Sequence, residues 1–146
     1  MKVKTMIKSY IFDSYAVLSY LQDEPCAEEV FSLLRQAQDK KIKLYMTWIN
    51  VGEVYYRVWR EYGKMEAERV LDVLSAWPLE ILVADSELTI AAAAVKAQNK
   101  LAYADAFVIA AAIQKQADLV TGDPEIKMAS QKLSFNLYWI DNKKGL

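Results

Sequence analysis

The chain has 146 residues and a net charge of −1, and 54% of its residues are hydrophobic. These values suit a single folded domain with a substantial core, and they do not indicate a strongly cationic nucleic-acid binder. The sequence lacks histidine and has one cysteine, Cys26. A Ser-His-Asp triad, a histidine metal site and a disulfide framework within the chain are therefore excluded. Any catalytic group must be a carboxylate, hydroxyl, amide, lysine or arginine.

Short β-rich runs alternate along the chain with segments of helical periodicity. This alternation predicts an α/β sandwich around a mostly parallel sheet of about five strands, in which ligands bind at the carboxyl ends of the strands. In chain order, the pattern predicts strand Ser9–Phe12, a helix from near Tyr15, helix Ala27–Ala37, strand Ile42–Thr47, helix Val51–Tyr62, helix Ala67–Trp77, strand Leu79–Val83, helix Glu87–Lys100, helix Ala102–Ala117, strand Leu119–Thr121 and strand Asn136–Ile140.

No secretory or membrane-spanning segment is indicated by the sequence. The basic start, Met1–Lys8, is followed by an apolar run that Asp13 interrupts. The apolar stretch Ala106–Ile113 has eight residues, whereas a membrane span needs about twenty. We therefore expect a cytoplasmic protein without a membrane anchor.

Two acidic residues directly follow predicted strands. Asp13 comes after the first strand, and Asp123 ends the segment Leu119-Val-Thr-Gly-Asp123. Either residue could simply cap the helix that follows, and Pro124 after Asp123 suits the first turn of a helix. Both positions also lie at the ligand-binding edge of a parallel sheet.

Two further acids lie on predicted helices. Glu53 borders the apolar stripe of its helix, although it could simply pair with Arg57 four residues later. Asp105 is the only charged residue between Leu101 and Ile113, in a helix that is apolar on all sides and therefore buried. A buried carboxylate is costly unless it is paired, protonated or metal-bound, but an acid in the first turn also suits the helix dipole.

Taken together, the four acids predict a metal site. In a parallel sheet they can converge on one cleft, and carboxylates without histidine or cysteine ligands select a hard cation such as Mg²⁺ or Mn²⁺. Such a cation would also explain how so many negative charges are tolerated together.

Four segments resemble, in order, the motifs of PIN-domain ribonucleases, and most of all VapC-type toxins of toxin–antitoxin pairs. The resemblance runs from about Tyr10 to Ile140. Eight residues before the first strand, and Tyr15 where many members have a small hydroxyl residue, depart from the family pattern. The four segments are Asp13-Ser-Tyr-Ala-Val-Leu, Asn50-Val-Gly-Glu-Val-Tyr-Tyr, Leu101-Ala-Tyr-Ala-Asp-Ala-Phe and Leu119-Val-Thr-Gly-Asp-Pro.

The resemblance implies that residues 1–146 form a single PIN-like domain with an α/β/α sandwich fold. It implies Mg²⁺- or Mn²⁺-dependent endonucleolytic cleavage of RNA, the toxin role in a type II toxin–antitoxin pair, a homodimer and a cognate antitoxin partner. The family's acidic residues map onto Asp13, Glu53, Asp105 and Asp123, which are the expected metal ligands, and Thr121 and Ser14 match hydroxyl positions that orient them.

The residues around Asp13 argue against two other classes of protein. A receiver domain would show an acidic pair before the first helix, but Phe12 precedes Asp13, and a haloacid-type phosphatase needs Asp-x-Asp, but Tyr15 takes the second position. A catalytically idle PIN-fold module that binds RNA or protein is the remaining alternative. The candidate RNA contacts are basic residues, which could equally serve solubility: Lys2, Lys4, Lys8, Lys40, Lys41 and Lys43.

Overall fold

The computed structural model describes residues 6–142. This part of the chain forms five strands and seven helices, joined by short loops. In chain order they are β1 (Ser9–Phe12), α1 (Ser14–Leu21), α2 (Ala27–Gln38), β2 (Lys43–Thr47), α3 (Trp48–Tyr62), α4 (Lys64–Ala76), β3 (Glu80–Leu82), α5 (Ser86–Gln98), α6 (Tyr103–Lys115), β4 (Asp118–Thr121), α7 (Pro124–Ser130) and β5 (Leu137–Trp139).

The five strands form one sheet in the order β3-β2-β1-β4-β5, and each neighbouring pair is parallel. At the centre, Ile11 of β1 pairs with Tyr45 of β2 and with Leu119 of β4. Helices pack on both faces, so the predicted α/β/α sandwich is confirmed. Because the strands run in the same direction, the residues after β1 and β4 emerge side by side at one edge.

Two apolar cores hold the sheet between its helices. Phe12 and Val120 point into the core formed with α1 to α4, whereas Ile11 and Leu119 point into the core formed with α5 to α7. These four side chains are fully buried, and burial of each contributes about 1.5–3 kcal/mol. The alternation fixes the register of β1 and β4, and therefore the positions of the acids that follow them.

Local capping decides where α3 begins and ends. It starts at Trp48, three residues before the predicted Val51, because the Thr47 side chain accepts a hydrogen bond from the Asn50 N–H at 3.1 Å. Gly63 ends it with a φ of +95°, a conformation that favours glycine. The predicted stop at Gly63 is confirmed, and the same residue is the N-cap of α4.

The other boundaries differ from the prediction by at most three residues. The sequence offered Asp123 as a helix cap with Pro124 in the first turn but gave no extent for the helix α7, because α7 has seven residues and too few turns to show a periodic pattern. Between residues 6 and 142, no helix has the length and apolarity that a membrane crossing requires.

Candidate active site

One cavity at the carboxyl end of the sheet collects the four predicted acids. Asp13 follows β1, Asp123 follows β4, Glu53 comes from α3 and Asp105 from the first turn of α6. We call these four residues the acid quartet, and the cavity of about 700 Å³ that they line the acid pocket. Its other lining residues are Ser14, Tyr15, Leu18, Ser19, Gln22, Glu24, Arg57, Val58, Arg60, Glu61, Tyr62, Ala102, Glu125 and Asn142.

Asp13 is the most deeply buried member of the acid quartet, with 1% of its surface exposed. One carboxylate oxygen accepts a hydrogen bond from the Ala16 N–H at 2.8 Å and caps α1. The other accepts a short hydrogen bond from the Thr121 hydroxyl, whose oxygen in turn accepts the Asp123 N–H at 3.0 Å. Thr121 therefore ties the ends of β1 and β4 together, and Asp13 both caps α1 and faces the acid pocket.

Glu53 is held from two sides. Its Oε1 accepts a short hydrogen bond from the Ser14 hydroxyl, and its Oε2 lies 3.6 Å from the Arg57 guanidinium. The pairing with Arg57 suggested by the sequence is present, but the side chain also lies in the acid pocket. Ser14 thus positions Glu53, as Thr121 positions Asp13.

Asp105 differs from both, because its carboxylate makes no hydrogen bond or ion pair with residues 6–142. It is 8% exposed. Desolvation by burial, followed by the negative charges of Asp123 and Glu53, raises its pKa to about 7, while the charge of Arg57 opposes the shift. Desolvation likewise raises the pKa of Asp13 to about 8, against the hydrogen bonds that favour its charged form.

Asp123 is half-buried at the rim of the acid pocket. Its Oδ1 accepts a hydrogen bond from the Glu125 N–H at 2.9 Å, so it caps α7 with Pro124 in the first turn, which is the alternative that the sequence left open. Its negative charge also contributes to the raised pKa of Asp13 and of Asp105. A capping role therefore does not separate Asp123 from the acid pocket.

The loop between Thr121 and Asp123 is fixed by a close approach that the sequence did not reveal. A Cβ on Gly122 would lie 2.4 Å from the Ile140 carbonyl oxygen and 2.4 Å from the Tyr15 ring. Asn142 holds that ring by donating to the Tyr15 hydroxyl at 3.0 Å. Tyr15, the departure from the family pattern, thus packs against the glycine of the acidic loop.

Asn50 is a second residue that sequence reasoning left without a role. Its side chain is fully buried and donates to the Ala104 carbonyl at 3.4 Å, which joins α3 to the first turn of α6. It therefore links the helices that carry Glu53 and Asp105. One feature of the sequence could have identified Asn50: it is a polar residue on the apolar side of α3, three residues before Glu53.

The PIN domain family model matches residues 10–131, which is most of the chain. The chain belongs to the PIN domain family. Among curated proteins, none matches the chain significantly.

Solved structures of toxin–antitoxin proteins share the fold of this PIN domain. VapBC2 from Rickettsia felis, bound to a promoter DNA fragment, has a TM-score of 0.71 at 19% identity over 91% of this chain and 99% of that chain. DNA-bound VapBC from Salmonella typhimurium has a TM-score of 0.68 at 14% identity over 91% and 98%. VapC20 from Mycobacterium tuberculosis, a sarcin-ricin loop cleaving toxin, has a TM-score of 0.65 at 13% identity over 84% and 95%.

The donor chemistry of this PIN domain fits a hard divalent cation. The acid quartet supplies only carboxylate oxygens, and mutual repulsion helps to raise the pKa of Asp13 and of Asp105, a cost that a bound cation would offset. Within residues 6–142, no three histidine, cysteine or acidic side chains are grouped closely enough to hold a metal ion. Coordination by three of the carboxylates therefore requires their side chains to move closer together.

The lysines suggested as RNA contacts lie away from the acid pocket. Lys8 precedes β1 and pairs with Asp118 at 3.1 Å, and Lys40, Lys41 and Lys43 precede or begin β2. In a parallel sheet these positions are at the amino ends of the strands, opposite the acid quartet. The remaining two candidates, Lys2 and Lys4, lie outside the described residues.

Proposed function

We propose that this PIN domain, over residues 1–146, is a Mg²⁺- or Mn²⁺-dependent endoribonuclease and the toxin component of a type II, VapBC-like toxin–antitoxin system. The observation that carries the proposal is the convergence of Asp13, Glu53, Asp105 and Asp123 on one cavity. These side chains come from four different elements, and two of them are largely buried. Buried acids brought together in this way are typical of a functional site.

The acid quartet would hold the cation through its carboxylate oxygens. A bound Mg²⁺ or Mn²⁺ supplies activation of a water and charge neutralisation at the phosphodiester. Thr121 keeps one oxygen of Asp13 in a fixed direction, and Ser14 does the same for Glu53. Such orientation lowers the cost of placing the ligands correctly.

Asp105 is the residue that we assign the most direct role. Because its carboxylate accepts no hydrogen bond within residues 6–142, both oxygens are free to act as donors to a cation. Its burial in the first turn of α6 keeps competing water away and strengthens the attraction to a positive charge.

The toxin role is supported by the fold shared with VapBC proteins. The proposal also includes a cognate antitoxin as a partner, a homodimer and a cytoplasmic location. Exposed aromatic side chains along α3 favour association with another protein, because Tyr56, Trp59 and Tyr62 are each at least 44% exposed. A single mass corresponding to the monomer, by light scattering at high micromolar concentration, would contradict the homodimer.

The test is cleavage of total RNA by the purified full chain, with the new RNA ends located by sequencing. We expect cleavage in Mn²⁺ or Mg²⁺, its loss in EDTA and its return when Mn²⁺ is added in excess. Total RNA is used so that a narrow target is represented in the sample. Unchanged RNA ends in every metal condition would contradict the nuclease function and favour the idle binding module.

A further inference from the structure

The charge of the acid pocket creates a difficulty for an RNA substrate. Besides the acid quartet, its lining includes Glu24, Glu61 and Glu125. An RNA strand carries a negative charge at every phosphate, so these carboxylates repel it unless cations are present. Among the described residues that line the acid pocket, the two cationic ones are Arg57 and Arg60.

These two arginines lie on one wall of the acid pocket. Both belong to α3 and are three residues apart, so their side chains are neighbours on the same helix face, with Cβ atoms about 5–6 Å apart. We call the pair the arginine strip. Glu53 and Glu61 also lie on α3, so the arginine strip is a local patch of positive charge within an acidic lining, and it is the part of the lining that attracts a phosphate.

Arg57 is the inner member of the strip. Its guanidinium lies 3.6 Å from Glu53, which places it beside the acid quartet. Its positive charge opposes the rise in the pKa of Asp105. Its side chain is nevertheless 56% exposed. It can therefore contact a ligand from the solvent side while remaining next to the proposed metal ligands.

Arg60 is the outer member, nearly one helical turn further from the quartet. Its guanidinium carbon lies 5.0 Å from the centre of the Tyr56 ring, and this cation–π contact stabilises the position of the side chain. A planar guanidinium held in this way has donors available for a phosphate. Lys64 and Lys127 also make cation–π contacts, with Trp59 and Trp139, but neither lysine lines the acid pocket.

We propose that the arginine strip, Arg57 and Arg60, binds phosphates of the RNA strand and guides the strand across α3 into the acid pocket. The proposal rests on the proposed ribonuclease function and names the substrate path for that site. It replaces the lysines at the amino ends of the strands as the RNA contacts.

The experiment measures binding of single-stranded RNA by the full chain over a series of salt concentrations. Asp105→Asn serves as the background, so that binding is followed without cleavage. Arg57→Gln and Arg60→Gln are compared with Arg69→Gln, which changes the net charge equally but lies on α4, outside the acid pocket and 67% exposed.

We expect each strip variant to reduce the slope of log affinity against log salt by about 0.7, the value for one phosphate contact on a single strand. Affinity should fall by at least about tenfold for each, the effect of losing a charge-assisted hydrogen bond. Arg69→Gln should leave both values unchanged. Equal slopes for Arg57→Gln, Arg60→Gln and Arg69→Gln would overturn the proposal.

Two further measurements keep this result separate from other causes. The shift of the melting temperature by Mn²⁺ should be retained in Arg57→Gln with Asp105 restored, and its loss would mean that Arg57 acts through the acids instead. Strip variants that bind RNA normally but fail to bind the antitoxin would reassign the strip to a protein interface. If the wild type neither binds nor cleaves RNA, the proposed function itself fails before the variants are compared.

Discussion

Charged residues at the two ends of the parallel sheet have opposite surroundings. At the amino end, Lys8 and Asp118 form an ion pair at 3.1 Å. At the carboxyl end, Asp13 and Asp105 are buried beside other carboxylates. Both ends belong to the same strands, β1 and β4, so strand packing alone does not require the difference.

The contrast indicates where function has been placed at a cost to stability. The ion pair at the amino end, whose lysine is 53% exposed, contributes at most about 1 kcal/mol. At the carboxyl end, burial and repulsion disfavour the charged form of Asp13 and Asp105, which makes the metal-free site a source of destabilisation. A cation that binds there relieves the repulsion between the carboxylates, and this relief adds to its binding affinity.

The largest effect is expected from Asp105→Asn, with Asp13→Asn and Asp123→Asn as companions. Asparagine is similar in size and caps helices about as well, but it lacks the negative charge that a cation needs. RNA cleavage in Mn²⁺ should fall by more than about 100-fold, since even residues that only orient ligands are worth about 10- to 100-fold. Melting of the metal-free protein should be unchanged or shift upwards.

A somewhat smaller effect is expected from Thr121→Val, which keeps the shape of the side chain but removes the hydroxyl. Asp13 loses the donor that fixes one of its oxygens, so cleavage should fall by about 10- to 100-fold. Ser14→Ala tests the matching contact with Glu53. Wild-type cleavage in Thr121→Val would show that the hydroxyl does not orient a ligand.

The buried acids at the carboxyl end of the sheet should make the stability of the protein depend on pH. The folded-state pKa values of about 8 for Asp13 and about 7 for Asp105 lie above the ordinary value of 3.8. The folded protein therefore binds protons more tightly than the unfolded chain, and metal-free stability should fall as pH rises from 5.5 to 8.5. The chain has no histidine to obscure this range.

Thermal melts in EDTA across that pH range provide the measurement. Asp105→Asn should flatten the decline, because one of the two titrating groups is removed. Lys8→Gln, which breaks the ion pair at the amino end, should keep the wild-type slope. A wild-type melting temperature that rises from pH 5.5 to 8.5 would contradict the burial of charged carboxylates at the carboxyl end.

The smallest expected effect concerns the glycine of the acidic loop. Gly122→Ala places a Cβ against the Ile140 carbonyl and the Tyr15 ring, and should reduce stability by about 1–3 kcal/mol. Gly52→Ala is the matched control, because among residues 6–142, apart from its chain neighbours and the adjacent backbone of α3, no atom lies within 4 Å of its Cβ position. In the middle of α3 it should add about 0.5–1 kcal/mol. Equal melting temperatures for the two variants would refute the close approach.

The sequence predicted the sheet and the acid quartet because both depend on local patterns. Asp13 directly follows a strand, and Asp105 is the lone charge of an apolar helix. The orienting roles of Thr121 and Ser14 were expected from the family resemblance, whereas the contacts of Asn142 and Gly122 were missed because they join distant segments. Asn142 bonds to Tyr15, 127 residues away, and Gly122 touches both Tyr15 and Ile140.

The placement of the basic residues could not be predicted for a related reason. In the sequence, Lys8 and Arg57 are both single basic residues near apolar segments. In the structure, Lys8 lies at the amino end of the sheet, whereas Arg57 lies on α3 beside the acid pocket. Which end a residue reaches depends on strand order and direction. The sequence predicted the direction, whereas the pairing of β1 with β4 came from the structure.

Whether the carboxyl end of the sheet binds a divalent metal can be measured by following the melting temperature at pH 8 as Mn²⁺ is titrated. A ligand that binds only the folded state stabilises it by about 2.7 kcal/mol at 100 times its Kd. We predict a clear, saturable increase for the wild type, and little or none for Asp105→Asn. A wild-type melting curve that does not respond to millimolar Mn²⁺ would show that the acid quartet does not bind this cation.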